Sequence, residues 1–315
     1  MVRRWLAAGL AIAGCTAGDP VGEALDPSLP GPYTVSLVDG FQMDLGDRGS
    51  FPGVVPALLY VPEGIAEPPH VVLFNHGFAI APTDYYATLV HLASWGLVVM
   101  APTWDPGIPS ARTHVELADD VIAALDWLQR NPLPVEFEVA VDRFGVGGHS
   151  RGGKQALLAA TRDPRIAVTF NLDPVDAPPP FGSFDPADYP SVTPELMGDL
   201  SAHAGHVGAG RGGEGSPPCA PVDDNYAAYF AAMKPGAVQV VLDTAGHADF
   251  VDPCAEGEGG FACAACPAGD DPLRTRAVGQ GMMAAFYRTW LDGDERFPTW
   301  ADGGAVGGEV KQATP

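Results

Sequence analysis

Residues 148–153 read GHSRGG, and this short segment constrains the fold of the chain more than any other. It contains the pattern G-x-S-x-G around Ser150, which is typical of a serine held on a tight turn between a strand and a helix. The two glycines of the pattern lack side chains because the strand and the helix nearly touch at such a turn. The flanking sequence agrees, since residues 143–150 predict a short buried strand and residues 151–162 predict a helix.

A second motif overlaps this turn. Residues 148–154 also satisfy G-x-x-x-x-G-K, the pattern of a phosphate-binding loop in nucleotide hydrolases. Such a loop needs Ser or Thr directly after the lysine to hold magnesium, whereas this chain has Gln155 there. The strand–serine–helix turn is therefore the better interpretation of the segment.

Composition limits the partners of the chain. Its 315 residues are 46% hydrophobic, so it can bury a sizeable core, and they carry a formal net charge of −22. Nucleic acids and anionic membrane surfaces both attract proteins with basic faces. We therefore expect no nucleic-acid partner, and no membrane contact of the folded domain itself.

The N-terminus predicts a targeting segment over residues 1–15. Arg3 and Arg4 give a positive start, and residues 5–14 form an apolar stretch too short to span a bilayer as a helix. The stretch ends in Ile-Ala-Gly-Cys, which resembles a bacterial lipobox and would place a lipid anchor on Cys15. An ordinary secretion signal is the alternative. Both interpretations predict export, with membrane attachment only through the N-terminal lipid in the first.

Export affects how the other cysteines are interpreted, because disulfides persist in oxidising compartments. Cys219, Cys254, Cys263 and Cys266 remain after Cys15 is set aside. An even number of cysteines in an oxidising compartment predicts two disulfides, for which three pairings are possible. A zinc site that uses the C-x-x-C spacing of the last two, together with Cys254, is the less favoured alternative.

Strand and helix patterns alternate along most of the chain. Strands are predicted at 33–39, 54–62, 69–77, 96–103, 143–150, 167–175 and 237–246, and helices at 83–96, 114–131, 151–162 and 274–294. Such alternation predicts an α/β fold with a mostly parallel central sheet and helices on both faces.

We expect a single folded domain over residues 33–300. Residues 16–32, rich in Pro, Gly and Asp, predict a flexible tether, and residues 301–315 predict a disordered tail. Within the domain, residues 177–222 are long, irregular and rich in Pro and Gly. They predict a cap or loop insertion beside the site.

A serine hydroxyl needs a base to become a nucleophile, and the base needs a carboxylate to orient it. His247 follows the predicted strand 237–246, where the base belongs in this fold class. Asp173 and Asp176 both stand at the end of an earlier strand, and we favour Asp173 as the acid with Asp176 as second choice. Glu214 is a more remote candidate.

The oxyanion of a tetrahedral intermediate needs two backbone N–H donors. Arg151, directly after the nucleophile, should supply one, and Phe78, after the strand that ends in FNHG, should supply the other. Phe78, Trp104 and Phe250 are candidates to line an apolar substrate pocket. This chemistry requires no metal and no organic cofactor.

The chain resembles the α/β-hydrolase superfamily over roughly residues 50–295, and within it the chlorophyllases and the polyester (PET) hydrolase and cutinase-type esterases. The chlorophyllase-like segments are GHSRGGK (148–154), LDPVD (172–176), PPCAP (217–221) and AGHADFVD (245–252). HLASWGLVVMAPTWD (91–105) and LDGDERF (291–297) are similar to both groups.

This resemblance implies a Ser150–His247–Asp173 triad with oxyanion donors at Phe78 and Arg151. The chain departs from the polyester hydrolases, whose acid follows the next strand, where this sequence offers only Glu214. It departs from the chlorophyllases in its lipid-anchor motif and in the insertion CAEGEGGFACAAC (254–266).

The predicted function is an exported serine carboxylesterase that hydrolyses hydrophobic esters, small or polymeric, through an acyl-enzyme. Two alternatives remain at this point. One is a lipase whose lid is the 177–222 segment, and the other is a surface lipoprotein that keeps the hydrolase scaffold as a non-catalytic binding module.

Overall fold

A computed structural model describes residues 2–3, 25–46, 53–105, 112–179, 183–258 and 260–312 of the chain. Cys15 and most of the predicted targeting segment lie outside these ranges, as do residues 16–24 of the predicted tether. Among the helices that the structure describes, none is both long and apolar enough to cross a membrane.

Eleven strands of the described residues form one sheet. They are β1 (Val2–Arg3), β2 (Val35–Val38), β3 (Gln42–Asp44), β4 (Val54–Pro62), β5 (His70–Asn75), β6 (Val98–Pro102), β7 (Ala140–His149), β8 (Ile166–Leu172), β9 (His203–Ala209), β10 (Val238–Leu242) and β11 (Glu309–Gln312). The spatial order is β1-β2-β4-β6-β5-β7-β8-β9-β10-β11, and β3 pairs with β4 off this path.

The centre of the sheet is parallel. Strands β6, β5, β7, β8, β9 and β10 all run in one direction, whereas β4 and β11 join antiparallel at either side of them. The carboxyl ends of the parallel strands therefore meet at one edge, where a site can be built from several loops.

Eight α-helices surround this sheet. They are α1 (Tyr86–Ser94), α2 (His114–Arg130), α3 (Arg151–Ala160), α4 (Tyr226–Ala232), α5 (Asp252–Ala255), α6 (Phe261–Ala265), α7 (Pro272–Asp292) and α8 (Pro298–Ala301) among the described residues. The four longest, α1, α2, α3 and α7, coincide with the helices predicted from apolar spacing. The predicted class, a mostly parallel sheet covered by helices, is confirmed.

Alternation along β5 explains why both faces of the sheet are covered. Val72 and Phe74 enter the core that α1 and α7 close, whereas Val71 and Leu73 enter the core that α2 and α3 close. All four side chains are fully buried. Each contributes roughly 1.5–3 kcal/mol of apolar burial, so a strand that is apolar at every position stabilises two layers at once.

Helix α2 begins where its sequence predicts. Thr113 accepts a hydrogen bond from the Glu116 N–H at 3.2 Å, and the Glu116 carboxylate accepts one from the Thr113 N–H at 2.8 Å. This reciprocal capping box satisfies two N–H groups at the start of the helix. It also places His114 in the first turn.

The structure corrects two sequence expectations in part. The predicted insertion 177–222 contains β9, a central strand between β8 and β10. Its glycines weaken the strand pattern, but they are needed because a Cβ at Gly205 would lie 2.9 Å from the Phe170 ring. The predicted disordered tail contains β11, which pairs with β10.

Candidate active site

Ser150 stands on the predicted turn between β7 and α3. Its backbone has φ 56° and ψ −124°, a strained conformation for a residue with a side chain. A Cβ at Gly148 or at Gly152 would lie 2.4 or 2.0 Å from the carbonyl oxygen of Asn75. Only glycine fits at these positions, which is the physical reason for the G-x-S-x-G spacing.

The predicted base and acid meet the serine at the carboxyl edge of the sheet. His247 opens a short 3₁₀ helix after β10, and Asp173 directly follows β8. The Ser150 hydroxyl lies 2.9 Å from His247 Nε2, and His247 Nδ1 lies 2.6 Å from Asp173 Oδ2. Three strand ends thus bring together side chains that are up to 97 residues apart in the sequence.

The second-choice acid lies elsewhere. Asp176 pairs with the buried Lys154, whose Nζ is 3.1 Å from Asp176 Oδ1, and it accepts hydrogen bonds from residues 191–193. Burial opposes ionisation of Asp176, but Lys154 and these donors hold its pKa below the usual value. The structure therefore brings Asp173, and not Asp176, to His247.

Strand β9 supports Asp173 through the other oxygen of its carboxylate, Oδ1. Its last residue, Ala209, donates its backbone N–H to Asp173 Oδ1 at 3.0 Å. Glu214, the remote candidate that follows this strand, is exposed and pairs with Arg211 at 3.1 Å. The strand that sequence reasoning missed thus contributes a backbone donor to the site rather than the acid.

His149 connects the base to the loop after β5. Its Nε2 lies 2.9 Å from the His247 carbonyl oxygen, and its Nδ1 lies 2.8 Å from the Tyr85 hydroxyl. A carbonyl only accepts, so Nε2 carries the proton and Nδ1 accepts from Tyr85. The Tyr85 oxygen in turn accepts from the Gly77 N–H at 3.1 Å. Burial, with the neighbouring His247 adding to it, holds the pKa of His149 well below its usual value, so the ring stays neutral.

The two expected oxyanion donors belong to Phe78 and Arg151, which line the same cavity as Ser150. Arg151 is the first residue of α3, so its N–H lies at the positive end of that helix. Its guanidinium lies 5.4 Å from the centre of the Phe78 ring and donates to the Asp105 carbonyl at 3.1 Å. This contact keeps the Phe78 loop against the start of α3.

A cavity of about 610 Å³ opens in front of Ser150. Most of its lining is apolar. The lining residues are Phe78, Ala79, Ile80, His114, His149, Ser150, Arg151, Val175, Ala177, Pro178, Pro179, Ser216, Pro217, Pro218, Cys219, Pro221, His247, Ala248, Ala264, Ala265 and Cys266. Such a pocket suits a largely hydrophobic ligand held near the serine.

Of the three aromatic residues predicted for the pocket, the structure places only Phe78 there. Trp104 is fully buried and donates its indole N–H to Asn75 Oδ1 at 2.6 Å. Phe250 is also fully buried, with its ring centre 5.8 Å from that of His149. The prediction for Trp104 and Phe250 was wrong because both side chains support residues of the site from within the core.

The four cysteines form two disulfides, as predicted, in the pairing Cys219–Cys266 and Cys254–Cys263. The C-x-x-C spacing is thus divided between two bridges. Cys219 and Cys266 line the cavity, so one bridge forms part of its wall. Among the described residues, no three His, Cys, Asp or Glu side chains are grouped so that they could hold a metal.

Sequence reasoning did not select His114 or the Cys219–Cys266 bridge as parts of the cavity. His114 is the first residue of the predicted helix 114–131, and its distance along the chain from the motif residues gives no reason to connect them. The proline-rich PPCAP segment was the available indication, because prolines at 217, 218 and 221 all line the cavity.

Comparison with known proteins identifies the family of the chain. The chain matches the Chlorophyllase family over residues 42–299. It belongs to the chlorophyllase family. It is therefore an α/β-hydrolase-type esterase, and its mixed, mostly parallel sheet is the fold of that group.

Several plant chlorophyllases are similar along most of their length. Chlorophyllase-2 from Arabidopsis thaliana is 26% identical over 249 residues, which cover 72% of this chain and 74% of the relative. Chlorophyllase-1 from the same plant is 31% identical over 240 residues, covering 71% and 73%. Chloroplastic chlorophyllase-1 from Citrus unshiu is 32% identical over 236 residues, covering 71% and 69%.

Proposed function

We propose that this member of the chlorophyllase family is an exported serine carboxylesterase that hydrolyses hydrophobic esters. Ser150 is the nucleophile, His247 the general base and Asp173 the orienting acid. The observation that carries the proposal is the unbroken hydrogen-bonded chain from Ser150 through His247 to Asp173, which faces an apolar cavity.

The reaction follows from this geometry. The Ser150 oxygen attacks the ester carbonyl carbon while His247 Nε2 takes the hydroxyl proton. When the tetrahedral intermediate collapses, the bond to the alcohol oxygen breaks and His247 returns the proton to the leaving alcohol. Water then attacks the acyl-enzyme with His247 again as base, which releases the carboxylic acid and restores Ser150. Asp173 keeps the imidazole in the tautomer with its proton on Nδ1 and stabilises the imidazolium.

The oxyanion that forms at the ester carbonyl lies, in this proposal, between the backbone N–H groups of Arg151 and Phe78. Donors held in place before the reaction stabilise developing charge more strongly than mobile water does. The arginine–phenylalanine contact and the hydrogen bond from the Gly77 N–H to the Tyr85 hydroxyl support the loop and the helix start that carry these donors.

The substrate class is inferred from the cavity and from the relatives. Because the relatives are named chlorophyllases, a chlorophyll-type ester is the first candidate. Segments 91–105 and 291–297, which resemble polyester hydrolases, make an aromatic polyester the second. A mostly apolar cavity of about 610 Å³ accommodates a bulky hydrophobic group of either kind.

Export, with a lipid anchor on Cys15, is part of the proposal. It rests on the sequence of residues 1–15, and the two disulfides support it because such bonds persist in oxidising compartments. Radiolabelled palmitate supplied to cells that express the full chain should label the wild-type protein and not Cys15→Ser. Equal labelling of both would refute the anchor.

Two measurements test the catalytic assignment. Wild-type protein should hydrolyse p-nitrophenyl butyrate and react with a fluorophosphonate probe, whereas Ser150→Ala should do neither. Ser201→Ala is the matched control, because Ser201 is exposed and lies outside the cavity lining. A wild-type protein that reacts with neither reagent would instead be a non-catalytic binding module. Unchanged turnover in Ser150→Ala would reject Ser150 as the nucleophile.

A further inference from the structure

One polar side chain in the cavity wall has no role in the proposed reaction. His114, in the first turn of α2, lines the cavity together with Phe78, Ser150 and Arg151. It is only 2% exposed, and its ring packs edge-on against Tyr189 with the ring centres 4.8 Å apart. Neither ring nitrogen has a hydrogen-bond partner among the protein groups that the structure describes.

The surroundings keep this imidazole uncharged. Burial, together with the nearby cations of Lys154 and Arg151, lowers the pKa of His114 to about 2 against the opposing effect of Asp176. A neutral imidazole carries one N–H donor and one bare nitrogen acceptor. Leaving such groups buried and unpaired is unfavourable, so a histidine here points to a hydrogen-bonding group on the ligand.

The same neighbours indicate what that group is. Arg151 already donates to the Asp105 carbonyl, and Lys154 already pairs with Asp176. The rest of the wall is largely Pro and Ala, so a charged substrate group would lose its hydration there without gaining a free counter-ion. A neutral oxygen loses far less hydration free energy than a charged group when it enters the cavity, and it can form a hydrogen bond with a neutral imidazole.

We propose that His114 is a specificity residue that hydrogen-bonds a neutral oxygen of the substrate, such as a ketone, a hydroxyl or a second ester carbonyl, remote from the ester that is cleaved. The inference rests on the proposed esterase function, and it narrows the substrate class from hydrophobic esters to hydrophobic esters with a second oxygen function. It concerns substrate choice and adds no step to the reaction.

The test compares esters that differ by one oxygen atom. A panel of p-nitrophenyl alkanoates carries a ketone at successive carbons of the acyl chain, and a second panel of alkyl butyrates carries it along the alcohol. Each ketone is compared with its methylene parent by kcat/KM. In the wild type, at least one position should favour the ketone by about tenfold, the worth of one buried hydrogen bond. If no position does so, the proposal is refuted without any variant.

Variants then assign the preference to His114. In His114→Phe the ratio of kcat/KM for the ketone to kcat/KM for its methylene parent should fall to about one, and His114→Gln should keep part of the preference. His203→Gln is the matched control, since His203 is exposed at the start of β9 and should leave the ratio unchanged. If His114→Phe does not fold, His114→Leu is measured instead.

The outcomes separate the two proposals. A wild-type preference that persists unchanged in His114→Phe would overturn the specificity role. A wild-type protein that hydrolyses neither the ketone nor the parent ester would refute the esterase function itself. A wild type that hydrolyses both equally leaves the esterase function intact and refutes the role of His114.

Discussion

Asp173 and Asp176 lie three residues apart, and the same Asp→Asn substitution should impair catalysis at Asp173 but folding stability at Asp176. Asp173 accepts from two donors at once, the Ala209 N–H at 3.0 Å and His247 Nδ1 at 2.6 Å. An asparagine must turn its oxygen to the Ala209 amide, which leaves its NH₂ facing His247. Nδ1 must then accept, so the imidazole proton moves to Nε2, and the ring can no longer take the Ser150 proton.

This wrong tautomer sets the magnitude of the effect. In serine hydrolases, an Asp→Asn change that keeps the geometry but traps the wrong tautomer lowers kcat about 10⁴-fold. That loss corresponds to about 5.4 kcal/mol in the activation barrier. The stability of Asp173→Asn should change little, since the amide still accepts from Ala209 and donates to His247.

Asp176→Asn should show the opposite pattern. Its neutral amide leaves the Lys154 ammonium, which is fully buried, without a counter-charge. Removing one partner of a buried ion pair costs about 3–5 kcal/mol of unfolding free energy. Turnover per folded molecule should stay within about threefold, because Asp176 does not contact His247.

The assay combines urea unfolding with kcat on p-nitrophenyl butyrate, normalised to the fraction that is folded. The expected result is a catalytic defect without a stability defect in Asp173→Asn, and the reverse in Asp176→Asn. The reasoning is refuted if Asp176→Asn loses the greater part of kcat while Asp173→Asn remains active.

Three other predictions concern the framework of the site. Replacing Cys219 and Cys266 by Ser opens a 47-residue loop and should cost about 4 kcal/mol of unfolding free energy. Opening the 9-residue loop that Cys254–Cys263 closes should cost about 2.6 kcal/mol. Equal losses of the two variants in urea unfolding would contradict the loop-entropy argument. Tyr85→Phe removes the hydroxyl between the Gly77 N–H and His149. It should lower the free energy of unfolding by about 2 kcal/mol and kcat about tenfold. Unchanged stability and kcat would count against this prediction. Burial raises the pKa of Asp252 from 3.8 to about 6 despite the Ala87 N–H and Arg276. At pH values between 3.8 and about 6, Asp252 keeps its proton in the folded state but has lost it in the unfolded chain. The free energy of unfolding therefore falls as pH rises through this range, by at most about 3 kcal/mol. Asp252→Asn should flatten that slope between pH 4 and 7, and an unchanged slope in urea unfolding would disprove it.

Local sequence patterns were sufficient to predict the features that depend on a single turn, helix or strand. The glycines around Ser150 identify the turn because no other residue fits against the Asn75 carbonyl. The helices, with apolar residues at roughly every third or fourth position, and the all-apolar central strands are likewise visible, because burial on one face or on both leaves a characteristic pattern in the sequence. His247 could be predicted because it follows such a strand.

Other features depend on contacts between distant segments. β9 has too many small residues to show a strand pattern, and they are small because rings from β8 and from the region of α4 pack on them. Trp104 and Phe250 follow strands whose carboxyl ends form the site, yet both side chains are buried in the core. Their direction depends on the neighbours that they meet after folding.

The sequence by itself determined the α/β class, the strained serine turn and the residue types available for the chemistry, because these depend on local sterics and on hydrophobic periodicity. Only the tertiary structure decided between Asp173 and Asp176, paired the cysteines and placed His114 in the cavity. Each of those outcomes depends on where two segments far apart in the chain come within a few ångströms of each other, and no single segment carries that information.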